Sequence, residues 1–279
     1  MARRFLKMHG LGNDFIVLDA RQQALALSPE VTRALADRRT GIGCDQLIVI
    51  EPARNGGAAF MRILNADGSE VEQCGNAVRC VGDLLAREGG RDEIVVETPA
   101  GLIRVRPGAD GQVAVNMGPA ILDWQRIPLA RETDTLHVPL SAGPLQNAVA
   151  VSMGNPHAVF IVPDADAVDL ATLGPGLEHD PLFPQRTNVE VVSVKAPDRI
   201  RMRVWERGVG ITRACGTGAC ASLVATSRRN LTGRKAVVEL DGGTLTIEWQ
   251  EDGTVLMTGP VATSFEGTLS GALAAAVAP

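Results

Sequence analysis

The sequence has no tyrosine, and its few phenylalanines and tryptophans bring the aromatic share to only 3%. Single-stranded nucleic acid is gripped by stacking bases on aromatic rings, so this class of partner is a poor match. Positive charge is not in excess either: 27 lysines and arginines face 32 aspartates and glutamates, a net charge of −5. Phosphate neutralisation needs the opposite balance, which argues against nucleic acid a second time. No apolar run approaches the roughly 18 residues that cross a bilayer, so no membrane partner is expected. The opening Met1-Ala2-Arg3-Arg4 is basic. No apolar stretch of about 7–15 residues follows it, as a signal peptide would require, and a cytoplasmic protein is expected. The five cysteines are odd in number and form no C-x-x-C. A disulfide framework does not fit that pattern. The spacings C-x5-C at Cys74/Cys80 and C-x4-C at Cys215/Cys220 are not those of zinc ligands, and no metal is expected.

What remains is ordinary globular composition, 45% hydrophobic and 21% charged over 279 residues. That length accommodates two domains of about 140 residues each. The chain also resembles itself. Met61-Arg62-Ile63-Leu64-Asn65 leads to Cys74-Gly75-Asn76, and Met202-Arg203-Val204-Trp205-Glu206 leads to Cys215-Gly216-Thr217, with methionine and cysteine 13 residues apart in both copies. Upstream, Gly12-Asn13-Asp14-Phe15 has its counterpart in Gly154-Asn155-Pro156-His157, in the same order. A period this long means two homologous domains rather than a solenoid. A Gly-Pro turn at Gly118-Pro119 marks the junction. The expected domains are 1–117 and 118–262.

Each half carries β-branched runs broken by Gly and Pro: Glu93–Thr98, Leu102–Arg106 and Val113–Asn116 in one, Ala236–Leu240, Thr244–Trp249 and Thr254–Met257 in the other. Asp241-Gly242-Gly243 is a hairpin signal. One helix in each half starts just after the repeated cysteine. Ala77, Val78, Cys80, Val81, Leu84 and Leu85 follow Cys74 at helical spacing, and Gly89-Gly90 supplies a stop. The stretch Gly218–Ala225 is small or apolar on nearly every side, which predicts a helix buried all round. The pattern fits α/β or α+β domains with short strands, packed about one helix in each half.

A cysteine at a helix start is placed to exchange protons. The first N–H groups and the helix dipole stabilise a thiolate, and the same groups attract a substrate carboxylate. Two such thiols, one from each half, suit inversion of a carbon centre, one removing a proton from one face and the other supplying a proton to the opposite face. The carbanionic charge would need oriented donors in a dry site. Cys44, Cys80 and Cys220 lack matched surroundings and read as buried hydrophobes. His9, His137 and His179 read as structural or surface residues.

These motifs, taken together, resemble the diaminopimelate epimerase family nearly end to end. The resemblance rests on His9–Phe15, Gly41–Gln46, Asn65–Ser69 and Cys74–Cys80, and on Gly154–His157, Thr187–Glu190, Glu206–Gly208 and Ala214–Cys220. It implies two pseudo-symmetric domains, each a β-rich barrel-like sheet around a central helix, with the active site in the cleft between them. It also implies that the last strand, near Ala262–Leu269, returns to the first domain, which then includes 263–279. The implied reaction interconverts LL- and meso-2,6-diaminopimelate without pyridoxal phosphate or metal, toward lysine and peptidoglycan precursors, with no cofactor and in a homodimer.

Cys74 and Cys215 match the acid/base pair. Asn13, Gln46, Asn65, Asn155, Asn188, Glu206 and Arg207 match substrate contacts. Gly75, Asn76, Gly216 and Thr217 would offer N–H groups to the reacting carboxylate, and His157 and Glu206 would position or tune the thiols. Residue chemistry is compatible: a guanidinium grips a carboxylate in paired hydrogen bonds, and a carboxylate holds an ammonium group. Blander roles exist for some of these residues. Asn13 and Asn155 follow glycine, as turn formers do. His157 also fits a satisfied core histidine, and Glu206–Arg207 a solvated pair. Ile211 stands where many family members carry a polar residue, and Phe265 where some relatives place a tyrosine at a dimer contact.

Three rival readings compete. A racemase of the proline kind shares the paired cysteines but needs no clamp for a second carboxylate. An isomerase of the phenazine-biosynthesis kind works without paired cysteines. A noncatalytic binding protein would keep its ligand after Cys74→Ser and show no turnover to lose.

Overall fold

The computed structural model describes residues 3–71 and 74–277. The outermost residues of the expected first domain, 1–2 and 278–279, lie outside them. The chain divides into two compact units at Val115/Asn116 and again at Thr258/Gly259, the segment after the second break joining the first unit.

The chain opens with strands β1 (Arg4–Gly10) and β2 (Asn13–Asp19), helix α1 (Pro29–Ala36), then β3 (Gln46–Glu51), β4 (Ala59–Asn65) and the short β5 (Glu70–Val71). Helix α2 (Gly75–Gly89) follows, then β6 (Ile94–Thr98), β7 (Gly101–Pro107) and β8 (Gln112–Pro119). Next come β9 (Val138–Ala142), β10 (Leu145–Ser152), β11 (Pro156–Ile161), α3 (Leu170–Glu178), β12 (Asn188–Ala196), β13 (Arg199–Glu206) and β14 (Gly210–Thr212). Helix α4 (Gly216–Arg228), β15 (Lys235–Leu240), β16 (Gly243–Trp249), β17 (Thr254–Pro260), β18 (Ala262–Thr268) and α5 (Gly271–Ala276) complete it.

The two units repeat one pairing scheme. In the first, β18 pairs with β1, β1 with β2, β2 with β3, β3 with β4, β4 with β6, β6 with β7 and β7 with β8. In the second, β9, β10, β11, β12, β13, β15, β16 and β17 follow in the same order. The parallel contacts also match: β2–β3 and β4–β6 in one unit, β11–β12 and β13–β15 in the other. The last strand of the chain thus holds in the first unit the place that β9 holds in the second.

Register makes the equivalence residue by residue. Phe15 lies opposite Gln46 as His157 lies opposite Asn188. Gln46 lies opposite Asn65, and Val189 opposite Trp205, which aligns Asn65 with Glu206. Ile48 and Glu190 likewise hold one position.

Each unit wraps its strands about its cysteine-headed helix. Helix α2 packs on β1, β2, β6 and β7, and α4 on β10, β11, β12, β13, β15 and β16. The apolar face predicted for α2 is buried at Ala77, Val78, Cys80, Val81 and Leu85. Its stop is Gly90, left-handed at φ 59°. A Cβ added at Gly82 would come 2.3 Å from Cγ1 of Val105, so α2 lies against β7 at a distance only glycine permits. Helix α4 is buried from Gly218 to Thr226 without a break, as its composition predicts. The first unit's core centres on Ile16, Leu18, Leu35 and Leu47, the second's on Val138, Leu145, Phe160 and Val191.

Candidate active site

In the first unit Cys74 caps α2 with extended backbone, φ −143° and ψ 109°. Its side chain is partly buried, and Sγ donates to Oδ1 of Asn13 at 3.7 Å. Asn13 sits where the tight β1–β2 turn ends, so the strand pair carries it to the helix start. The same Oδ1 accepts from Nδ2 of Asn76 at 3.2 Å, while Nδ2 of Asn13 donates to Asp45 at 3.0 Å. Asp45 is fixed in turn by Arg38, and Arg38 and Lys7 both bind Asp14. Those two cations hold the Asp14 carboxyl well below the usual carboxylate range, against the opposing effect of burial. The amides of Gln46 and Asn65 meet each other at 3.1 Å, and Asn65 donates on to Ser69 at 3.0 Å.

In the second unit Cys215 caps α4 with the same backbone, φ −123° and ψ 112°. It is buried, and its sulfur lies 3.4 Å from the Gly218 N–H and 3.5 Å from the Thr217 hydroxyl. Burial and the nearby carboxylates Glu206 and Glu190 push this thiol well above its ordinary value, while the Thr217 and Gly218 donors oppose them. Burial also raises the Glu206 carboxyl, partly countered by hydrogen bonds from Thr212 and from Cys215 itself. A carboxyl and a thiol in such contact can pass one proton between them.

Asn155 donates to Thr217 Oγ1 at 3.3 Å, and its Oδ1 lies 3.0 Å from Nε2 of His157. His157 and Glu190 are fully buried and 2.7 Å apart. Asn188 accepts from the Arg207 N–H at 3.0 Å and donates to Pro156 O at 2.9 Å. The Arg207 guanidinium donates to Gln185 O at 3.0 Å.

The structure therefore gathers Asn13, Cys74 and Asn76 at the head of α2, with Gly75 in its first turn. It gathers Asn155, His157, Glu206, Cys215 and Thr217 at the head of α4, with Gly216 in its first turn. Gln46 with Asn65, and Asn188 with Arg207, form separate pairs within their units. Glu206 is not a solvated partner of Arg207; its bonds run inward to Thr212 and Cys215.

Three residues given no role by the sequence support these groups. Asp45 orients Asn13, and Glu190 binds His157. Glu178 accepts from Trp205 Nε1 at 2.7 Å and from the Gly208 N–H at 2.9 Å, fixing the turn that follows Arg207. Burial pushes the Cys44 and Cys80 thiols up as well, to about 11 and about 12; what sets them apart from Cys74 and Cys215 is that neither stands at the head of a helix. Among the described residues no group of three His, Cys, Asp or Glu side chains is placed to hold a metal ion. Among them, too, no helix is long and apolar enough to cross a membrane.

The fold recurs in solved structures of low sequence identity. A probable proline racemase from Agrobacterium radiobacter superposes with a TM-score of 0.69 at 18% identity, covering 96% of this chain and 93% of that one. A phenazine biosynthesis protein of Bacillus anthracis gives 0.68 at 14% identity, over 97% of this chain and 99% of that one. Sequence relatives are much nearer. A diaminopimelate epimerase of Rhodospirillum centenum is 67% identical over 271 residues, 97% of this chain and 93% of that protein. One from Acidiphilium cryptum is 56% identical over 274 residues, 98% of this chain and 99% of that protein. The family model for diaminopimelate epimerase matches residues 5–122 and 149–264, which takes in both cysteine-headed helices. The chain belongs to the diaminopimelate epimerase family.

Proposed function

We propose that this protein interconverts LL- and meso-2,6-diaminopimelate by a two-base mechanism in which Cys74 and Cys215 are the proton-transferring groups. The observation that carries the reading is the matched pair of helix caps. Two units of one topology each end an extended segment in a cysteine, at nearly the same φ and ψ, over the first free N–H groups of a buried helix. Epimerisation needs one group to take the α-proton and a second to deliver a proton to the opposite face. Thiols are suited to both tasks, because each can serve as base in one direction and acid in the other.

The residues around the caps supply the remaining requirements. N–H groups at Gly75, Asn76, Gly216 and Thr217 face the place where carboxylate charge would build up. Glu206 takes the proton of Cys215 or returns it, and His157 helps to place the groups around that thiol. Arg207 and the amides of Asn13, Gln46, Asn65, Asn155 and Asn188 grip the carboxylates and ammonium groups of the substrate. The reading needs no cofactor and no metal. It places the protein in the cytoplasm, where thiols stay reduced, on the route to lysine and peptidoglycan precursors. A homodimer is part of it: Phe265 on β18 is 50% exposed and stacked edge-on against Phe5, an apolar spot that a second copy would cover.

Proton NMR of LL-diaminopimelate in heavy water, with reduced protein and nothing else added, tests this. Loss of an α-proton signal with growth of the meso isomer is the expected result. Exchange with proline instead would keep the two thiols and overturn the substrate. No exchange with either would overturn the catalytic reading.

A further inference from the structure

The two units place an asparagine at one register position, Asn13 and Asn155, and hold it opposite ways round. In the first unit Asp45 takes the amide nitrogen at 3.0 Å, so the oxygen turns to Cys74 and Asn76. In the second the oxygen turns to His157 at 3.0 Å, and the nitrogen is given to Thr217 at 3.3 Å. The cause lies in the neighbouring strands. Where the first unit has the apolar pair Phe15 and Ile48, the second has His157 and Glu190, all four of them 0% exposed.

With the Asn155 amide turned this way, hydrogen counting sets the state of that pair. An amide oxygen only accepts, so Nε2 of His157 must carry hydrogen to bond Asn155. At 2.7 Å, Nδ1 and Oε1 share a second one. The pair then has no net charge, as imidazolium with carboxylate or as imidazole with carboxylic acid. A net charge in so buried a place would be far more costly. Room for the carboxyl depends on Gly218, where a Cβ would sit 2.8 Å from Oε1.

We propose that Glu190 is a positioning residue for Cys215, acting through His157, Asn155 and Thr217. By keeping hydrogen on Nε2 it turns the Asn155 amide nitrogen to Thr217 Oγ1. The Thr217 hydroxyl hydrogen is then left for the Cys215 sulfur. A thiolate at Cys215 therefore meets two donors, the Thr217 hydroxyl and the Gly218 N–H. The Cys74 sulfur meets an amide oxygen, which only a thiol can use. Two further ionisable groups face the pair, Cys215 and Glu206 on β13, and Glu206 leans on Cys215 directly. The importance of this wiring rests on the reading that Cys215 exchanges protons with substrate, but its test needs no turnover.

The first measurement is 15N NMR of histidine-labelled protein at neutral pH. Nε2 of His157 is expected to be protonated; hydrogen on Nδ1 alone would overturn the proposal. The second follows the rate at which iodoacetamide alkylates Cys215, read by peptide mass as a function of pH. The double variant H157F/E190I installs the first unit's own apolar pair, so no buried charge is orphaned. Because the pair is removed whole, the push of Glu190 on the Cys215 thiol goes together with the imidazolium charge that offsets it, and the lost Thr217 hydrogen bond is expected to slow alkylation at neutral pH by about fivefold. T217V should slow it equally, and the three substitutions together no further. A rate that rises in H157F/E190I, or losses that add in the triple variant, would overturn the route through Thr217. Failure to epimerise diaminopimelate would leave these results standing and strike only the functional reading.

Discussion

At the scale of single residues, position at a helix head rather than burial divides the cysteines. Burial pushes Cys44 and Cys80 to about 11 and about 12, above the ordinary thiol value of 9.0. Above the ordinary thiol value the unfolded chain releases these protons while the folded chain still holds them, so rising pH favours the unfolded state. Their contribution is whole below pH 9.0 and falls as pH rises through about 11 and 12. Denaturant titrations from pH 8 upward should therefore show stability declining above pH 9, and less steeply in C44A/C80A. Cys74 and Cys215 are expected to behave as reacting groups: Cys74→Ser and Cys215→Ser should each lose roughly 10²–10⁴-fold in turnover, with substrate binding retained. Retained turnover in either variant, measured by NMR, would count against the pair. The sequence marked these two residues because their spacing and following glycine repeat. It gave no such mark to Glu190. In Asn188-Val189-Glu190-Val191 a lone carboxylate among valines reads as the outward residue of an alternating strand. Strand β12 is instead packed by α3 and α4, so none of its residues from Asn188 to Ser193 reaches solvent. Asp45 was missed for a related reason: its partners Arg38 and Asn13 are near it only after folding.

At the scale of elements, close approach matters more than propensity. Glycine in a helix interior costs about 1 kcal/mol relative to alanine, so Gly82 in α2 needs a reason. The reason is Val105, which leaves no space for a Cβ. Gly82→Ala should destabilise the protein by about 1–3 kcal/mol through overpacking, despite its better helix propensity. Val105→Ala added to it should recover part of that loss, and thermal melts of the two variants beside the parent protein check the sign. A stabilising Gly82→Ala would mean that α2 can move off β7. The helices themselves were legible: the apolar spacing after Cys74, the Gly89-Gly90 stop and the all-round apolar stretch after Cys215 each have a local cause. So did the β15–β16 hairpin, whose Asp241-Gly242 turn is a short-range signal. Helices α1 and α3 were not foreseen. Leu170–Glu178 carries Pro175 and two glycines, which read as a loop, and its helix is held by tertiary contacts with β9, β12 and β13. The residues of strand β18 give little sign of its place, because Ala262–Glu266 are exposed and it is defined by pairing with β1 and by the contact of Phe265 with Phe5.

At the scale of the whole molecule, the repeated topology is completed in two different ways. The second unit is one continuous stretch, Asn116–Thr258. The first needs both ends of the chain, since β18 supplies the partner of β1, pairing Arg4 with Thr268 and His9 with Ala262. Closing a loop of that length costs entropy before any contact is gained, and long-range strand pairing is slow for that reason. The second unit is thus expected to fold first, with the β1–β18 ladder among the last pairings made. A built-in probe separates the events: all three tryptophans, Trp124, Trp205 and Trp249, lie in the second unit. Trp205 donates to Glu178 and packs into that unit's core, so its fluorescence reports native packing there alone. On dilution from denaturant, tryptophan fluorescence should recover before the amides of β1 and β18 gain protection in pulsed hydrogen exchange. Destabilising the ladder with Phe5→Ala should slow that protection and leave the fluorescence phase unchanged. If the amides of β1 were protected first, or both signals slowed together, the two units would fold as one and the continuous stretch would hold no priority.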